Sequence, residues 1–139
     1  MIYLRFFLVL FVLPLSACSL LSSKAEYIPN NEELSEATVG KPYLLKISIL
    51  GGSVFRGTEK KVGVVVPDDV GIFLRNCRLP DSVITADTRD TKDHNCIEVY
   101  GVPTKPGAIK INISGGMYGS MIAPANYFSK DYTLNVVKP

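Results

Sequence analysis

The sequence predicts an all-β protein whose main part is a single antiparallel β-sandwich. Between residues 36 and 139, short stretches alternate apolar with polar side chains, the pattern of strands that bury one face. Glycine and proline separate these stretches, and no window after residue 35 carries apolar residues at helical spacing. Several short strands with such turns between them are typical of a sandwich.

The alternation places the strands individually. It is cleanest over residues 108–114, and Tyr132, Leu134 and Val136 share one face of the last strand. In residues 43–49 the period of two is interrupted once, because Leu44 is apolar where a polar residue is expected. We expect strands at residues 43–49, 62–66, 71–77, 83–85, 96–100, 108–114 and 127–137.

The N-terminal residues have the layout of a secretory signal peptide. Arg5 supplies a positive charge, residues 6–13 form an unbroken apolar core, and Pro14 precedes small residues and a cysteine. The apolar run is too short to cross a bilayer as a mature helix. The following stretch is polar and typical of a flexible tether. We therefore expect a signal peptide at residues 1–17, a lipidated N-terminus and tether at 18–35, and the sandwich domain at 36–139.

The residues Leu15-Ser16-Ala17-Cys18 resemble the lipobox of bacterial lipoproteins at all four positions. The resemblance implies that a diacylglycerol is attached to the Cys18 thiol, that cleavage occurs before Cys18, and that an acyl chain is added to the new amino group. In this family aspartate after the cysteine commonly retains the protein in the inner membrane, and Ser19 stands there in this chain. The resemblance therefore implies a cell-envelope protein on the outer membrane, facing the periplasm. The alternatives are a plain signal peptide with an incidental cysteine, or a short buried helix.

Charge and length restrict the classes of partner. Without residues 1–17, the 139-residue chain keeps 122 residues, of which 14 are Lys or Arg and 13 are Asp or Glu. A balance this close to neutral argues against nucleic-acid binding and against a polybasic membrane patch. No second long apolar segment follows, so the lipid is the one membrane attachment that the sequence supports.

The three cysteines divide into two roles. If Cys18 carries the lipid, Cys77 and Cys96 remain as an even pair. In an oxidising compartment such a pair predicts a disulfide. A reactive thiol pair or a metal site is the alternative, but the chain has no Cys-x-x-Cys motif, and His94 is its only histidine.

Three segments resemble bacterial Ig-like and cadherin-like modules. Residues 39–45 resemble the opening "V-G-x-P-Y-x-L" strand, and residues 66–72 loosely resemble the "L-P-x-G-L" turn. Residues 97–107 are the closest match, to "I-x-G-x-P-T-x-x-G", in which Gly101 and Gly107 allow backbone angles closed to other residues. The resemblance implies an Ig-like sandwich that serves adhesion, spacing or assembly and has no active site.

Candidate catalytic and metal-binding residues are few. His94 lies in a polar loop, and no Gly-x-Ser-x-Gly motif surrounds any serine. Asp87, Asp90 and Asp93 recur every third residue, but they lack the alternate ligands and terminal glutamate of a calcium loop. We therefore expect a hydrated loop there, no metal, no cofactor, no small-molecule substrate and no catalytic residue.

The stretch of residues 115–128 is the predicted binding surface. It is glycine-rich, reads as a long loop up to residue 126, and carries Met and aromatic side chains, which are common at binding surfaces. The candidate partner-binding residues are Met117, Tyr118, Met121, Tyr127 and Phe128. The alternative is a loop that covers one end of the core. We expect a non-catalytic envelope lipoprotein that binds another envelope or exported protein, or alternatively a periplasmic inhibitor or immunity lipoprotein.

Overall fold

The protein, seen here as a computed structural model, is described over residues 24–55, 63–84 and 94–139. These ranges are all-β, as the sequence predicts. The strands are β1 Glu26–Ile28, β2 Ala37–Thr38, β3 Tyr43–Leu50, β4 Val54–Phe55, β5 Gly63–Val66, β6 Ile72–Asn76, β7 Cys96–Gly101, β8 Gly107–Met117 and β9 Asn126–Val137. A short 3-10 helix, Asp81–Val83, follows β6. No helix in the described ranges is long and apolar enough to cross a membrane.

The strands form two sheets in the order of an immunoglobulin sandwich. One sheet has the order β1-β3-β7-β6, and the other has the order β2-β9-β8, with β4 and β5 both pairing with β8. In the immunoglobulin fold, strands A, B, E and D form one sheet and C, F and G the other. Here β1, β3, β7 and β6 take the first set of positions, β5, β8 and β9 take the second, and β2 adds a parallel edge to β9. The predicted Ig-like sandwich is confirmed.

The core lies between the inner faces of the two sheets. Buried residues alternate with more exposed ones along β8 and the second half of β9, because successive side chains in a strand point to opposite faces. Residues 47–49 of β3 and 96–99 of β7 are buried without interruption. The predicted inner face of the last strand is confirmed, since its three residues are at most 4% exposed. The most deeply buried apolar residues are Ile47, Ile49, Ile72, Val99, Ile109, Ile111, Ile113, Met117, Tyr132 and Leu134.

The sandwich begins by residue 24 instead of residue 36. Residues 24–35 were expected to be part of the tether, but β1 pairs with β3 and Leu34 is only 6% exposed, in the core. The ammonium group of Lys130 also donates a hydrogen bond of 2.8 Å to the carbonyl of Asn30. Tyr27 and Ile28 suggest a short edge strand in the sequence, and β1 forms there. A strand of three residues is too short to produce a visible alternation, so the pattern does not show that the domain begins with it.

Four further strand assignments differ from the prediction. Residues 115–117, expected in the loop, continue β8, and neither β2 nor β4 was expected. The prediction of a strand at residues 83–85 is wrong for the two residues that the structure describes, 83 and 84. Residue 83 belongs to the 3-10 helix of residues 81–83, and residue 84 follows it. At residues 115–117 glycine hides the alternation of the strand. At residues 83–85 the β-branched residues suggested a strand, because such residues are common in strands.

The predicted disulfide between Cys77 and Cys96 is present. It joins the residue after β6 to the first residue of β7, and the Cα atoms lie 4.9 Å apart. The backbone N–H of Cys77 also donates to the carbonyl of Cys96 at 3.0 Å. Both cysteines belong to one sheet, whereas the disulfide of antibody domains joins the two sheets. Closing a loop of about 20 residues stabilises the fold by roughly 3 kcal/mol in the chain-entropy model.

Tyr132 connects the buried face of β9 to the N-terminal segment, and its ionisation gives a test of this contact. Its phenolic O–H donates to the carbonyl of Pro29 at 2.6 Å. Burial, with a contribution from the nearby Tyr27, raises the pKa of Tyr132 from 10.0 to about 12. The folded state therefore keeps this proton over a pH range in which the unfolded chain has lost it.

We expect the free energy of unfolding to fall as the pH rises from about 10 to about 12, because the folded chain binds more protons there. Urea titrations of the wild type and of Tyr132→Phe across this range measure the effect. The substituted protein has no phenol at this position, so its decline should be shallower. Equal slopes for the two proteins would contradict the assignment.

Candidate functional site

The hairpin between β8 and β9 ends in an exposed apolar surface, which we call the apolar tip. It consists of Phe55, Tyr118, Met121, Ile122 and Tyr127. The side chain of Met121 is fully exposed, and Ile122 and Tyr127 are each 74% exposed. Large apolar side chains this exposed, grouped at one place, mark an interaction site more often than scattered ones do.

An aromatic cluster forms the base of the apolar tip, and a glycine makes room for it. Gly116 pairs with Phe55 on β4 and with Tyr127 on β9. A side chain at position 116 would place its Cβ 2.4 Å from the ring of Phe55, so the ring lies directly over the glycine. The ring centre of Phe55 lies 4.9 Å from that of Tyr118 and 6.0 Å from that of Tyr127.

Hydrogen bonds within the loop of residues 118–125 fix the top of the apolar tip. The N–H of Ser120 donates to the carbonyl of Ala123 at 2.8 Å, and the N–H of Ile122 donates to the Ser120 hydroxyl at 3.3 Å. A Cβ at Gly119 would lie 2.5 Å from the Ala123 carbonyl oxygen, so the chain turns tightly there. Met121 and Ile122 therefore stand at the end of a closed turn and not on an open loop.

The structure divides the five predicted partner-binding residues. Tyr118, Met121 and Tyr127 are exposed and belong to the apolar tip. Met117 is 1% exposed in the core, and the ring of Phe128 packs against the core and against Tyr27 at 6.1 Å. The predicted exposed surface is therefore found at Tyr118, Met121 and Tyr127, whereas Met117 and Phe128 cover the core, as the alternative predicts. The sequence missed the two further members, Phe55 and Ile122, although Ile122 lies inside the predicted stretch.

The chain enters the described domain at the same end as the apolar tip. The carbonyl of Lys24 lies so close to Gly51 that a Cβ there would be 2.0 Å from its oxygen. Two residues further along, the carbonyl of Ser53 accepts a hydrogen bond of 3.0 Å from the N–H of Tyr118. Two residues span at most about 7 Å, so Lys24 and the base of the apolar tip are neighbours.

A second exposed surface lies on the outer face of the other sheet, and we call it the outer row. Leu44 on β3, Tyr100 on β7 and Phe73 on β6 lie directly opposite one another. Leu44 is 62% and Phe73 is 52% exposed, and the rings of Phe73 and Tyr100 lie 5.9 Å apart. The row is six residues along β3 from Leu50, a distance of about 20 Å, so it lies toward the end opposite the apolar tip.

An arginine is held beside the outer row. The guanidinium of Arg75 stacks on the ring of Tyr100 at 4.0 Å and forms an ion pair with Glu98. Glu98 also lies opposite Lys46 in the register of β3 and β7. Although Glu98 is on the outward face, as predicted, it is 8% exposed. The pair fixes the position of Arg75 next to the aromatic rings, where its charge remains half exposed.

The outer row has a signal in the sequence, an interruption of the strand alternation. Leu44 is the apolar interruption in the first long strand, and Phe73 stands between two apolar residues of β6. In a two-faced sheet, consecutive apolar residues place one of them in solvent. Such an interruption is therefore the pattern that identifies an exposed apolar position.

The other candidate residues have structural surroundings or lie outside the described ranges. The backbone N–H of His94 donates to the carbonyl of Val54 at 3.2 Å, which fixes the start of β7. Cys18 and the three aspartates at positions 87, 90 and 93 lie outside the described residues. Among the residues that are described, no group of three or more His, Cys, Asp or Glu side chains is placed to hold a metal ion.

The fold and these surfaces define the class of the protein as a small disulfide-bonded Ig-like sandwich with an apolar tip and an outer row. Comparison of the chain with protein-family models, curated proteins and solved structures gives no match. Its function is therefore inferred from the two surfaces and from their positions relative to the N-terminal residues.

Proposed function

We propose that the protein is a non-catalytic lipoprotein of the bacterial cell envelope, attached through Cys18 and facing the periplasm from the outer membrane. Its Ig-like domain acts as a binding or assembly module for another envelope or exported protein. The four-residue lipobox and the apolar segment before it support the attachment. The disulfide between Cys77 and Cys96 supports an oxidising compartment, because such bonds persist outside the cytosol.

The outer row is the observation that carries the binding role. Aromatic residues and arginine are enriched in the centres of protein interfaces, and the outer row combines both with an exposed leucine. Because Arg75 is already oriented by Glu98 and by the ring of Tyr100, ordering it on binding costs little entropy. The register of β3, β7 and β6 also places the three side chains next to one another on the same face of the sheet.

The position of the outer row suits a periplasmic partner. It lies on the half of the sandwich remote from Lys24, where the chain enters the domain from the proposed anchor. A partner approaching from the periplasm therefore reaches it without displacing the membrane. We accordingly assign the protein partner to the outer row, and not to the stretch of residues 115–128 from which the sequence led us to expect it.

Capture experiments with two matched surface variants test this function. The full-length lipidated protein is cross-linked in its own cell envelope and purified in mild detergent. Leu44→Ser with Phe73→Ser removes the apolar part of the outer row, and we expect the captured partner to be lost. Val64→Ser with Val66→Ser is the control, because these exposed valines of β5 lie on the other sheet and are 47% and 55% exposed.

The same samples test the attachment. Cys18→Ala should release the protein from the membrane fraction, since no thiol remains for the diacylglycerol. Retention of the partner by a folded outer-row variant would overturn the binding surface. Retention of Cys18→Ala in the membrane would overturn the anchor. If the captured partner is an enzyme or a toxin, its activity in the presence of the purified domain distinguishes an inhibitor from an assembly module.

A further inference from the structure

We propose that the apolar tip rests on the phospholipid surface of the membrane that holds the anchor, with Met121 and Ile122 inserted between the lipid headgroups. This inference rests on the lipid attachment of Cys18 proposed above. It assigns a second, direct membrane contact to the folded domain. The contact fixes the orientation of the sandwich, and so directs the outer row away from the membrane.

The first argument is the short distance between the anchor and the apolar tip. Lys24 follows Cys18 by six positions, and a chain of this length spans at most about 20 Å when fully extended. Lys24 adjoins Gly51, which is two residues from the hydrogen-bond partner of Tyr118. The apolar tip is therefore at the end of the sandwich that the anchor holds near the bilayer.

The second argument concerns the size of an alternative occupant. A small folded domain is about 30 Å across. The space between the anchored end of the sandwich and the bilayer is limited to about 20 Å by the six-residue connection. A protein partner of ordinary size does not fit between them, whereas the lipid surface is already there.

The third argument is the chemistry of the apolar tip. Residues 111–129 contain no charged side chain, so insertion into the headgroup region does not require a charge to lose its water. Met121 and Ile122 lie in the loop beyond the last pair of β8 and β9, whereas Tyr118 is the first residue after β8 and Tyr127 belongs to β9. Tyrosine is enriched at the level of the headgroups, because its ring is apolar and its hydroxyl remains hydrated. The order from outermost to innermost thus follows the polarity gradient of the interface.

The rigidity of the apolar tip also suits this role. Its turn is closed by the hydrogen bonds of Ser120, and its base is packed against Phe55. The acyl chains on Cys18 hold the protein on the membrane by themselves, because each buried methylene contributes about 0.8 kcal/mol. The apolar tip therefore adds orientation more than affinity.

Tryptophan fluorescence tests the proposal, because the chain contains no tryptophan. The full-length lipidated protein with Ile122→Trp is reconstituted into vesicles of phosphatidylethanolamine and phosphatidylglycerol whose acyl chains are partly brominated. We expect a blue-shifted emission that the bromine atoms quench. The control is Phe73→Trp in the outer row, which is also exposed and should be quenched several-fold less. Adding Met121→Ser to the first variant should weaken its quenching.

Flotation of the same vesicles separates failure of this proposal from failure of the attachment. Protein that floats with the vesicles while its reporter at position 122 stays unquenched overturns the membrane contact and leaves the anchor standing. Protein that does not float overturns both. If the reporter is not quenched in the brominated vesicles but is shielded from an aqueous quencher in native envelopes, a protein covers the apolar tip, and the proposal is wrong.

Discussion

Replacing Asn95 with leucine is expected to lower the free energy of unfolding by roughly 4 kcal/mol. Asn95 is 1% exposed, and its side chain makes three hydrogen bonds with the end of β3, the connection to β4 and the start of β4. Its Oδ1 accepts from the N–H of Val54 at 3.0 Å, and its Nδ2 donates to the carbonyls of Ile49 and Gly52, both at 2.7 Å. Leucine removes all three partners from buried backbone groups, and each such loss costs about 1–3 kcal/mol.

Urea unfolding followed by circular dichroism measures this effect, and another asparagine provides the control. The side chain of Asn112 donates to Ser129 at 2.9 Å and to Asp131 at 2.6 Å, but it is on the outer face of β8, where water replaces lost partners. We expect Asn112→Leu to cost less than about 1 kcal/mol. A similar loss of unfolding free energy at the two positions would mean that the hydrogen bonds of Asn95 do not hold the connection between β3 and β4 in place.

Asn95 also affects the apolar tip, because the connection between β3 and β4 leads to residues at its base. The segment it holds contains Ser53, which bonds to Tyr118, and leads directly into Phe55 at the base of the apolar tip. Partly folded Asn95 variants should therefore lose the membrane contact before they lose the outer row. In such variants, bromine quenching of a tryptophan at position 122 should fall while capture of the partner by the outer row is retained.

Asn95 also illustrates what the sequence could not predict. It ends a polar stretch rich in Asp, Thr and Lys, and composition assigns such a stretch to a solvated loop. A buried asparagine that bonds to backbone groups 41 to 46 residues earlier has no local pattern, because the contacts are set by the sandwich. By contrast, the alternation of Ile109, Ile111 and Ile113 is local, and it predicted both the strand and its buried face correctly.

The apolar tip was predictable in part, because some of its residues also form a local pattern in the sequence. An unusual concentration of Met and Tyr near glycine indicates a surface, and Tyr118, Met121 and Tyr127 are indeed exposed. The sequence could not show where β8 ends, because Gly115 and Gly116 have no side chain to reveal the alternation. Met117 was therefore expected in the loop, although it is the last inward residue of the strand.

Replacing Gly101 with alanine is expected to cost roughly 4 kcal/mol of stability, of which the larger part is steric. Gly101 has a φ of +133°, in the region that favours glycine. A Cβ there would lie 2.0 Å from the carbonyl oxygen of Gly71 and 3.1 Å from its carbonyl carbon. Both obstacles are backbone atoms, so β6 and β7 must separate at this end to admit the methyl group.

Gly107 separates the steric cost from the conformational cost. Its φ is +128°, close to that of Gly101, but a Cβ at this position meets nothing within 4 Å. Gly107→Ala should therefore cost only the backbone strain, about 1–3 kcal/mol. Urea titrations of both variants give the difference directly. Equal costs would show that the close approach of Gly71 and Gly101 does not hold the two strands together.

The close approach at Gly101 matters for the outer row because it sets the distance between its two aromatic residues. Gly101 pairs with Ile72, and the next pair in the register is Tyr100 with Phe73. Separating β6 from β7 at this point would therefore move the two rings apart and draw Arg75 away from Tyr100. We expect folded Gly101→Ala protein to capture less partner than Gly107→Ala, even when both are compared at temperatures where each is fully folded. Equal capture would mean that the outer row tolerates this displacement, and that its leucine carries the contact.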